Sequence, residues 1–365
     1  MKWKKYLFPV VLLCLAILLT ACSGAGTAAT TEQKDGNQTI TVIDYLGREV
    51  TIPKQVNRIA TLYAYTGHVV TMLGEGEKIV AVNSGLQRDN LLVEMNPAIE
   101  KAAVPTRNGK LNIEELAASN PDLIFIQKST ARDQGETRKL DELKIPYLAV
   151  DFNSIKEQQQ SIEMIGKAIG QAKKAKQYNE FYNKVIAEVS EKVKDIPEKD
   201  RVRVYHSVNE ATRTDIADSL SAEWIKTTGA INVSTGENLK LIENKSFASL
   251  EQILLWEPDV IIVNEAGVDD YILNSPQWQT LKSVKNKQVY LLPNGVSRWG
   301  HPGALETPLA ILWTAKTLYP DRFKEINLEE VTTKFYQDFF NFKLTPEITE
   351  KILSGKGMRI PKGNE

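Results

Sequence analysis

Residues 111–126 read LNIEELAASNPDLIFI, and nearly the same pattern returns at residues 248–263 as ASLEQILLWEPDVIIV. The two stretches align without a gap at an offset of 137 residues. Each predicts a short amphipathic helix, a break at a proline that cannot continue the helix, and then a strand. The strand portions LIFI and VIIV do not alternate with polar residues, which is typical of strands buried on both faces of a parallel sheet. The repeat therefore predicts two similar lobes.

The rest of the chain supports an α/β fold. Further strands are predicted near residues 58–62, 78–82 and 146–150, and again at 201–208. Helical patterns separate them, as expected for mainly parallel sheets. We therefore predict two Rossmann-like lobes, residues 39–154 and 198–365, with a ligand cleft between them.

Residues 155–197 have a different pattern. Their apolar positions recur mostly every three or four residues, the period of one face of a helix, until Pro197. We predict a single long helix that joins the lobes and, because bending it would break hydrogen bonds, permits only small closing motions. Two helices with a turn near Gly166 and Gly170 are the alternative.

The amino terminus carries an export signal. It begins MKWKKYLFPVVLLCLAILLTAC, a basic start followed by an apolar run and a small-residue cleavage site. The ending Leu19-Thr20-Ala21-Cys22 resembles the lipobox of bacterial lipoproteins, which implies cleavage before a lipidated Cys22. The apolar run is rather short for the alternative, a transmembrane anchor. We predict a signal peptide at 1–21 and a flexible tether at 22–38, whose small polar residues cannot form a core.

Composition and charge narrow the function classes. The chain has 45 basic and 46 acidic residues, and loss of the three signal lysines changes its net charge from −1 to −4. The sequence contains no basic stripe with interleaved aromatic residues, which is the pattern that indicates nucleic-acid binding. Cys14 and Cys22 are the only cysteines, so the exported chain has no disulfide and depends on a large core.

Several stretches together resemble one family, the substrate-binding lipoproteins of ABC importers, in the helical-backbone class that captures iron–siderophores, haem and cobalamin. The resemblance covers residues 39–355. It implies a monomer anchored at the extracytoplasmic face of the membrane that carries no intrinsic cofactor and delivers a small ligand to a permease and its ATPase. The stretches that carry it are DYLGREVTIPKQVNRIATL, the two copies of the repeat, TTGAINV, WQTLKSVKNKQVYLLP and PLAILWTAKTLYPDRF.

The same resemblance gives the repeat a second meaning. In this class one glutamate on each lobe forms salt bridges with arginines of the permease, and the matching positions are Glu114 and Glu251. The alternative is that both are ordinary surface acids in the first turn of a helix, where a negative charge is favourable.

Ligands of open α/β sheets bind beyond the carboxyl ends of the strands. Most of the loops predicted at those ends are rich in aromatic and basic side chains; Arg107 lies instead in the loop before the first copy of the repeat. The candidate ligand-binding residues are Tyr63, Tyr65, Arg88, Arg107, Lys128, His206, Arg213, Arg298, Trp299 and His301.

These residue types suit a ferric siderophore, which is bulky, partly aromatic and often anionic. The four arginines are candidate anion clamps, and the tyrosines and Trp299 offer flat apolar contact. Each arginine taken alone could equally be a solvated surface residue. His206 and His301 are candidate axial ligands of a metal, with hydrogen-bonded loop histidines as the alternative. His68 is expected to pack within a helix.

Three functions follow from this reasoning. The leading prediction is capture of a ferric siderophore or a related iron chelate, and the second is a haem or corrinoid carrier of the same class. An exported enzyme is the third, but the sequence contains no GxSxG, HExxH, P-loop or GxGxxG motif. We therefore expect a binding protein without catalytic activity, and no closed site for a bare metal ion.

Overall fold

A computed structural model describes residues 38–107, 110–243 and 245–360. The predicted signal peptide, Cys22 and almost all of the predicted tether lie outside these residues. Among the described residues, no helix is both long enough and apolar enough to cross a membrane.

The first lobe is built around a four-stranded parallel sheet with the spatial order β4-β3-β7-β8. It is preceded by an antiparallel hairpin of β1 and β2, and a second hairpin, β5 with β6, precedes the first copy of the repeat. The elements are β1 Thr39–Ile43, β2 Glu49–Pro53, β3 Ile59–Thr61, α1 Ala64–Met72, β4 Ile79–Val82, α2 Asn90–Met95, α3 Ala98–Lys101, β5 Thr106–Arg107, β6 Lys110–Leu111, α4 Ile113–Ala118, β7 Leu123–Gln127, α5 Lys128–Arg132, α6 Gln134–Leu143 and β8 Tyr147–Val150.

Two helices follow the first lobe, α7 Ile155–Ala168 and α8 Ala172–Val193. The prediction of one continuous helix is therefore wrong. Gly170 adopts a φ of +76°, which ends the helical path, and a Cβ at Gly166 would lie 2.6 Å from the Cβ of Ala175. The chain turns back there, and α7 and α8 pack as an antiparallel pair.

Side-chain contacts hold this pair together along its length. Asn179 Nδ2 donates to Glu163 Oε1 at 3.0 Å, and Tyr182 OH donates to Gln158 Oε1 at 3.1 Å. The apolar period continues across the turn because both helices bury one face in the same core. The sequence pattern alone therefore could not separate one helix from two.

The second lobe repeats the plan of the first. Its parallel sheet has the order β10-β9-β13-β14, and an antiparallel hairpin, β11 with β12, precedes the second copy of the repeat. The elements are β9 Arg203–Ser207, α9 Leu220–Thr227, β10 Ile231–Asn232, β11 Lys240–Ile242, β12 Lys245–Phe247, α10 Leu250–Trp256, β13 Val260–Val263, α11 Val268–Asn274, α12 Lys282–Lys285, β14 Val289–Leu291, α13 Thr307–Leu318, α14 Leu328–Phe340 and α15 Pro346–Leu353.

The repeat folds as predicted in both lobes. The residues LIFI of β7 and all of β13 are completely or almost completely buried, and each strand lies inside its sheet with parallel neighbours on both sides. The α/β class with two parallel sheets is thus confirmed. The largest apolar core runs through both lobes and includes the buried faces of α7, α8 and α13, so these helices join the two sheets into one body.

Candidate functional site

The carboxyl ends of the two sheets place loops from both lobes near one another. Tyr63 follows β3 and Arg88 follows β4 in the first lobe, whereas Arg213 follows β9 and His301 follows β14 in the second. Tyr63 OH and His301 Nδ1 lie 3.6 Å and 3.7 Å from the point where a Cβ of Gly303 would stand. The first and second lobes therefore meet at this glycine.

Arg298 connects three loops of the second lobe. Its Nη1 donates to Asn209 Oδ1 at 2.6 Å and forms an ion pair with Glu265, while Asn264 Oδ1 accepts from the main-chain N–H of Asn209 at 2.9 Å. Only 14% of the Arg298 side chain is exposed. Burial, together with the nearby charges of Arg88 and Arg213, lowers the pKa of Arg298 to about 10.

Arg88 and Arg213 add positive charge to the same region. Arg88 Nε donates to a neutral acceptor, the carbonyl oxygen of Ile360, at 3.1 Å. Arg213 is half-buried, and burial lowers its pKa although Glu210 and Asp215 oppose this shift. Neither arginine forms an ion pair with a carboxylate in the part of the chain that the structure describes. Both guanidinium groups are therefore available for a direct contact with an anion.

His301 is held neutral beside these arginines. Burial lowers its pKa well below the ordinary value, and the charges of Arg298 and Arg213 act in the same direction. The main-chain N–H of Gly303 donates to His301 Nδ1 at 3.1 Å, so the proton of the neutral ring lies on Nε2. His301 can thus donate one hydrogen bond without adding charge.

His206 lies completely buried on β9. Its Nδ1 is 2.7 Å from Asp215 Oδ2, which also accepts from Asn232 Nδ2 at 3.0 Å. The ring meets the edge of Trp224 with centroids 5.5 Å apart. His206 Nε2 is buried and has no hydrogen-bond partner among the described residues. An aspartate that fixes the Nδ1–H tautomer leaves Nε2 as an acceptor, the state that a metal ligand needs.

His68 packs within α1, as the sequence predicts. Its Nε2 lies 3.2 Å from Asp89 Oδ2, and Asp89 is also paired with Arg359. Burial lowers the pKa of His68 to about 4, while the charge of Glu306 opposes this shift and that of Arg359 reinforces it. The segment around Arg359 reaches the first lobe through an isolated antiparallel bridge between Arg359 and Asp89, beside which the main-chain N–H of Ile360 donates to the carbonyl oxygen of Arg88 at 2.9 Å.

Three of the predicted ligand residues have other contacts in this conformation. Tyr65 is buried with its OH 3.2 Å from Ser161 Oγ, and Trp299 is completely buried in the largest core. Lys128 Nζ lies 2.8 Å from Asp151 Oδ2 and 5.1 Å from the centroid of the Tyr45 ring. Arg107 belongs to β5, and its side chain lies outside the described part of the structure.

Among the described residues, no group of three or more His, Cys, Asp or Glu side chains could hold a metal ion. The candidate site combines Arg88, Arg213 and Arg298 with the carboxylate of Glu265 and with neutral polar groups.

Comparison with known proteins assigns the chain to a family. Residues 59–296 match the model described as periplasmic binding protein. The chain belongs to this family. The predicted class, substrate-binding proteins of ABC transporters, is thus confirmed.

Three relatives span almost the whole chain. The molybdate-binding protein MolA of Haemophilus influenzae is 27% identical over 333 residues, covering 84% of this chain and 92% of MolA. The solved structure of MolA bound to molybdate gives a TM-score of 0.74 at 26% identity, covering 84% of this chain and 99% of that one. The crystal structure of a periplasmic solute binding protein from Veillonella parvula gives a TM-score of 0.75 at 26% identity, covering 87% of this chain and 97% of that one. YvrC of Bacillus subtilis, named an uncharacterized ABC transporter substrate-binding lipoprotein, is 26% identical over 324 residues, which are 85% of this chain and 97% of YvrC.

The two repeated glutamates of this periplasmic binding protein occupy equivalent places. Glu114 is the second residue of α4 and Glu251 the second residue of α10, and both are exposed. Two hydrogen bonds lower the pKa of Glu251: the larger effect comes from its own main-chain N–H and the smaller from the side chain of Ser249. Each helix is capped by the preceding residue, with Asn112 Oδ1 accepting at 3.1 Å and Ser249 Oγ at 3.2 Å.

Sequence reasoning missed several residues of the site. Asn209 and Glu265 lie in loops that the strand-end rule selects, but neither an amide nor a carboxylate is a residue type that by itself indicates an anion-binding site. Arg359 could not be found, because it lies 270 residues from its partner Asp89. Glu306 is completely buried, accepts from Ser297 N at 3.1 Å and Tyr336 OH at 2.7 Å, and so braces the loop that carries Arg298 and His301.

Proposed function

We propose that this ABC transporter substrate-binding protein captures an anionic, metal-containing solute in the cleft between its lobes and delivers it to a permease and its ATPase. The observation that carries the proposal is the closeness of three guanidinium groups, those of Arg88, Arg213 and Arg298, of which only Arg298 is ion-paired with a carboxylate among the described residues. Burying like charges together is unfavourable unless an opposite charge joins them. An anion bound among the three arginines supplies that charge.

A compact oxyanion such as molybdate fits these groups best. Partly buried guanidinium groups bind oxyanions through paired, charge-assisted hydrogen bonds. The neutral His301 adds a donor at Nε2–H, because its Nδ1 accepts from Gly303 N. Arg298 Nη1 is already held in place by its hydrogen bond to Asn209 Oδ1. MolA, which resembles this chain along most of its length, is named for molybdate.

The ferric siderophore predicted from the sequence is the second candidate. Tyr63 at the meeting point of the lobes offers an aromatic face next to the arginines, which suits a catecholate ring. Of the predicted contacts, we retain Tyr63, Arg88, Arg107, Arg213, Arg298 and His301 as ligand-binding residues. Tyr65, Lys128 and Trp299 act through packing and ion pairing unless the lobes rearrange.

A haem or corrinoid carrier is the remaining alternative of the same class. His206 and His301 are its proposed axial ligands, and the buried, unpartnered Nε2 of His206 supports this role. A Soret shift on mixing with haem that disappears in both His206→Ala and His301→Ala favours this alternative over anion capture.

Isothermal titration of the purified protein with sodium molybdate, a ferric tris-catecholate and haem tests the proposal. Arg298→Gln removes a charge-assisted contact worth about 1.5–3 kcal/mol, so we expect its anion affinity to fall roughly 10- to 100-fold. Arg203→Gln is the matched control, because Arg203 is exposed at the opposite end of the sheet, on β9. The proposal fails if no anion binds or if the two variants behave alike.

Glu114 and Glu251 are proposed to dock on arginines of the permease. Paired carboxylates on pseudo-symmetric lobes suit a permease built around a two-fold axis. We expect Glu114→Lys and Glu251→Lys to reduce cellular uptake of the ligand without changing its affinity, whereas Glu350→Lys on α15 leaves both unchanged. Equal uptake by all three variants would contradict docking through this face.

We also propose that the mature protein is a monomer tethered by lipid on Cys22 at the extracytoplasmic face of the membrane. The relative YvrC is named a lipoprotein. Residues 22–38 would then act as a flexible tether, followed by lobes at 39–154 and 198–365. Cys22→Ser is expected to move the protein from the membrane fraction to the soluble fraction.

A further inference from the structure

The guanidinium of Arg298 is already paired with a carboxylate of its own lobe. Glu265, in the loop after β13, forms the ion pair, and Asn209 Oδ1 accepts at 2.6 Å from the same Nη1 atom. The carboxylate is 33% exposed, whereas the arginine is 14% exposed. Arg298 is therefore the one cationic member of the cluster, among the described residues, that has a carboxylate in contact.

This ion pair competes with anion binding at Arg298. An anion that approaches the same guanidinium meets the negative charge of Glu265, which repels it, and must displace the carboxylate or share the donors with it. Without any carboxylate, however, a largely buried arginine would be destabilised by unpaired charge. The same contact thus stabilises the unliganded protein and opposes binding of its ligand.

We propose that Glu265 is a built-in substitute for the ligand, which pairs with Arg298 in the unliganded protein and leaves when an anion binds. This inference rests on the proposed function, since it assumes that the anion binds at Arg298. As a consequence, the measured affinity for the anion is lower than the intrinsic affinity of the arginine cluster, because in part of the protein population Glu265 occupies Arg298.

The local backbone is suited to such a release. Gly267, two residues after Glu265, has a φ of +89°, and a Cβ there would meet no atom of the described residues within 4 Å. Ala266 and Gly267 are exposed, so the loop borders solvent on this side. Asn209 is held separately by Asn264, and it keeps its contact with Arg298 when the carboxylate leaves. Release of Glu265 thus requires movement of one partly exposed side chain.

The exchange also gives a basis for selectivity. A doubly charged oxyanion replaces the charge of the carboxylate and compensates Arg88 and Arg213 as well. A neutral chelate cannot replace it, because Arg298 would lose its partner without gaining another. We therefore expect the Glu265 contact to exclude neutral ligands and to discriminate by charge.

Glu265→Gln is the direct test, because it keeps the size of the side chain and removes its charge. We expect molybdate to bind this variant about tenfold more tightly than the wild type in calorimetric titration. The melting temperature of the protein without added anion should fall in the same variant. Glu237→Gln, an exposed residue of the same lobe, is the matched control and should change neither quantity.

A double variant separates this inference from the proposed function. In Arg298→Gln the second change, Glu265→Gln, should no longer tighten molybdate binding, since the competing contact is already gone. If the wild type binds molybdate and Arg298→Gln weakens it, but Glu265→Gln is equal to or weaker than the wild type, the substitute-ligand role is wrong and the proposed function stands. If neither molybdate nor a ferric tris-catecholate binds the wild type, both are wrong.

Discussion

The two lobes share one strand order but contribute differently to the cleft. In each sheet the first strand lies between the second and the third, with the fourth at the edge. In the first lobe only residues 151–154 separate β8 from α7, whereas in the second lobe residues 292–306 separate β14 from α13. That long loop carries Arg298, His301 and Glu306. The shared scaffold positions the loops, and the longer loop lets the second lobe place Arg298 and His301 close to Arg213.

A second difference concerns the buried histidine of each lobe. His68 and His206 both lie against an aspartate, and within the described part of the chain the other nitrogen of each ring is buried without a hydrogen-bond partner. Asp89 is also paired with the cation Arg359, whereas Asp215 accepts from the neutral amide of Asn232. The first pair therefore ties the carboxy-terminal segment to the first lobe, and the second is internal to its lobe.

The largest effect is expected from Asp89→Asn. Removing this carboxylate leaves the partly buried charge of Arg359 without its partner, which should lower the free energy of unfolding by about 3–5 kcal/mol. Asp215→Asn should cost less, because its other partner is an amide. Urea unfolding of both variants measures the difference, and equal losses would show that the cation is not what distinguishes the two pairs.

The pH dependence of stability is the next largest effect. The folded-state pKa of His68 is about 4, below its unfolded value near 6.5, so the unfolded chain binds the extra proton first. Stability should therefore fall by up to about 3 kcal/mol as pH drops from 6.5 to 4. The groups that act on this ring are Asp89, Arg359 and Glu306. In His68→Gln this component of the pH profile should disappear, whereas an unchanged profile would contradict the assignment.

A smaller effect distinguishes two buried tyrosines. Tyr336 OH donates to Glu306 Oε1 at 2.7 Å and accepts from Val296 N at 3.1 Å, whereas Tyr65 OH has one contact with Ser161 Oγ at 3.2 Å. We expect Tyr336→Phe to cost about 2 kcal/mol and Tyr65→Phe about 1 kcal/mol. Only Tyr336→Phe should also weaken anion binding, because it loosens the loop of Arg298; titration of both variants checks this.

The smallest effect concerns the caps of the repeated helices. Ser249 forms a reciprocal capping box with Gln252, while Asn112 accepts a single bond from Glu115 N. Ser249→Ala should cost about 1–2 kcal/mol and Asn112→Ala about 1 kcal/mol or less. Thermal unfolding of the two variants is sufficient to compare them. Identical losses would mean that the second bond of the box contributes nothing.

Part of the site could be predicted because the strand-end rule depends only on strand positions. It selected the loops of Tyr63, Arg88, Arg213, Arg298 and His301, which the structure places near one another. The rule could not separate Trp299, which packs into the core, from its neighbour Arg298, which reaches the arginine cluster. It also could not find Glu265 or Arg359, because their roles arise from contacts between distant segments.

The sequence by itself determined the two-lobe α/β plan, since the repeated helix, Pro-Asp break and apolar strand are local signals that act within about sixteen residues. It also determined the exposed positions of Glu114 and Glu251, which follow from helix period and capping. Only the tertiary structure decided that residues 155–193 form two helices and that Arg298 is paired with Glu265. The apolar period is the same for one long helix and for two packed helices, and the ion pair joins residues 33 positions apart, so local propensity could not decide either.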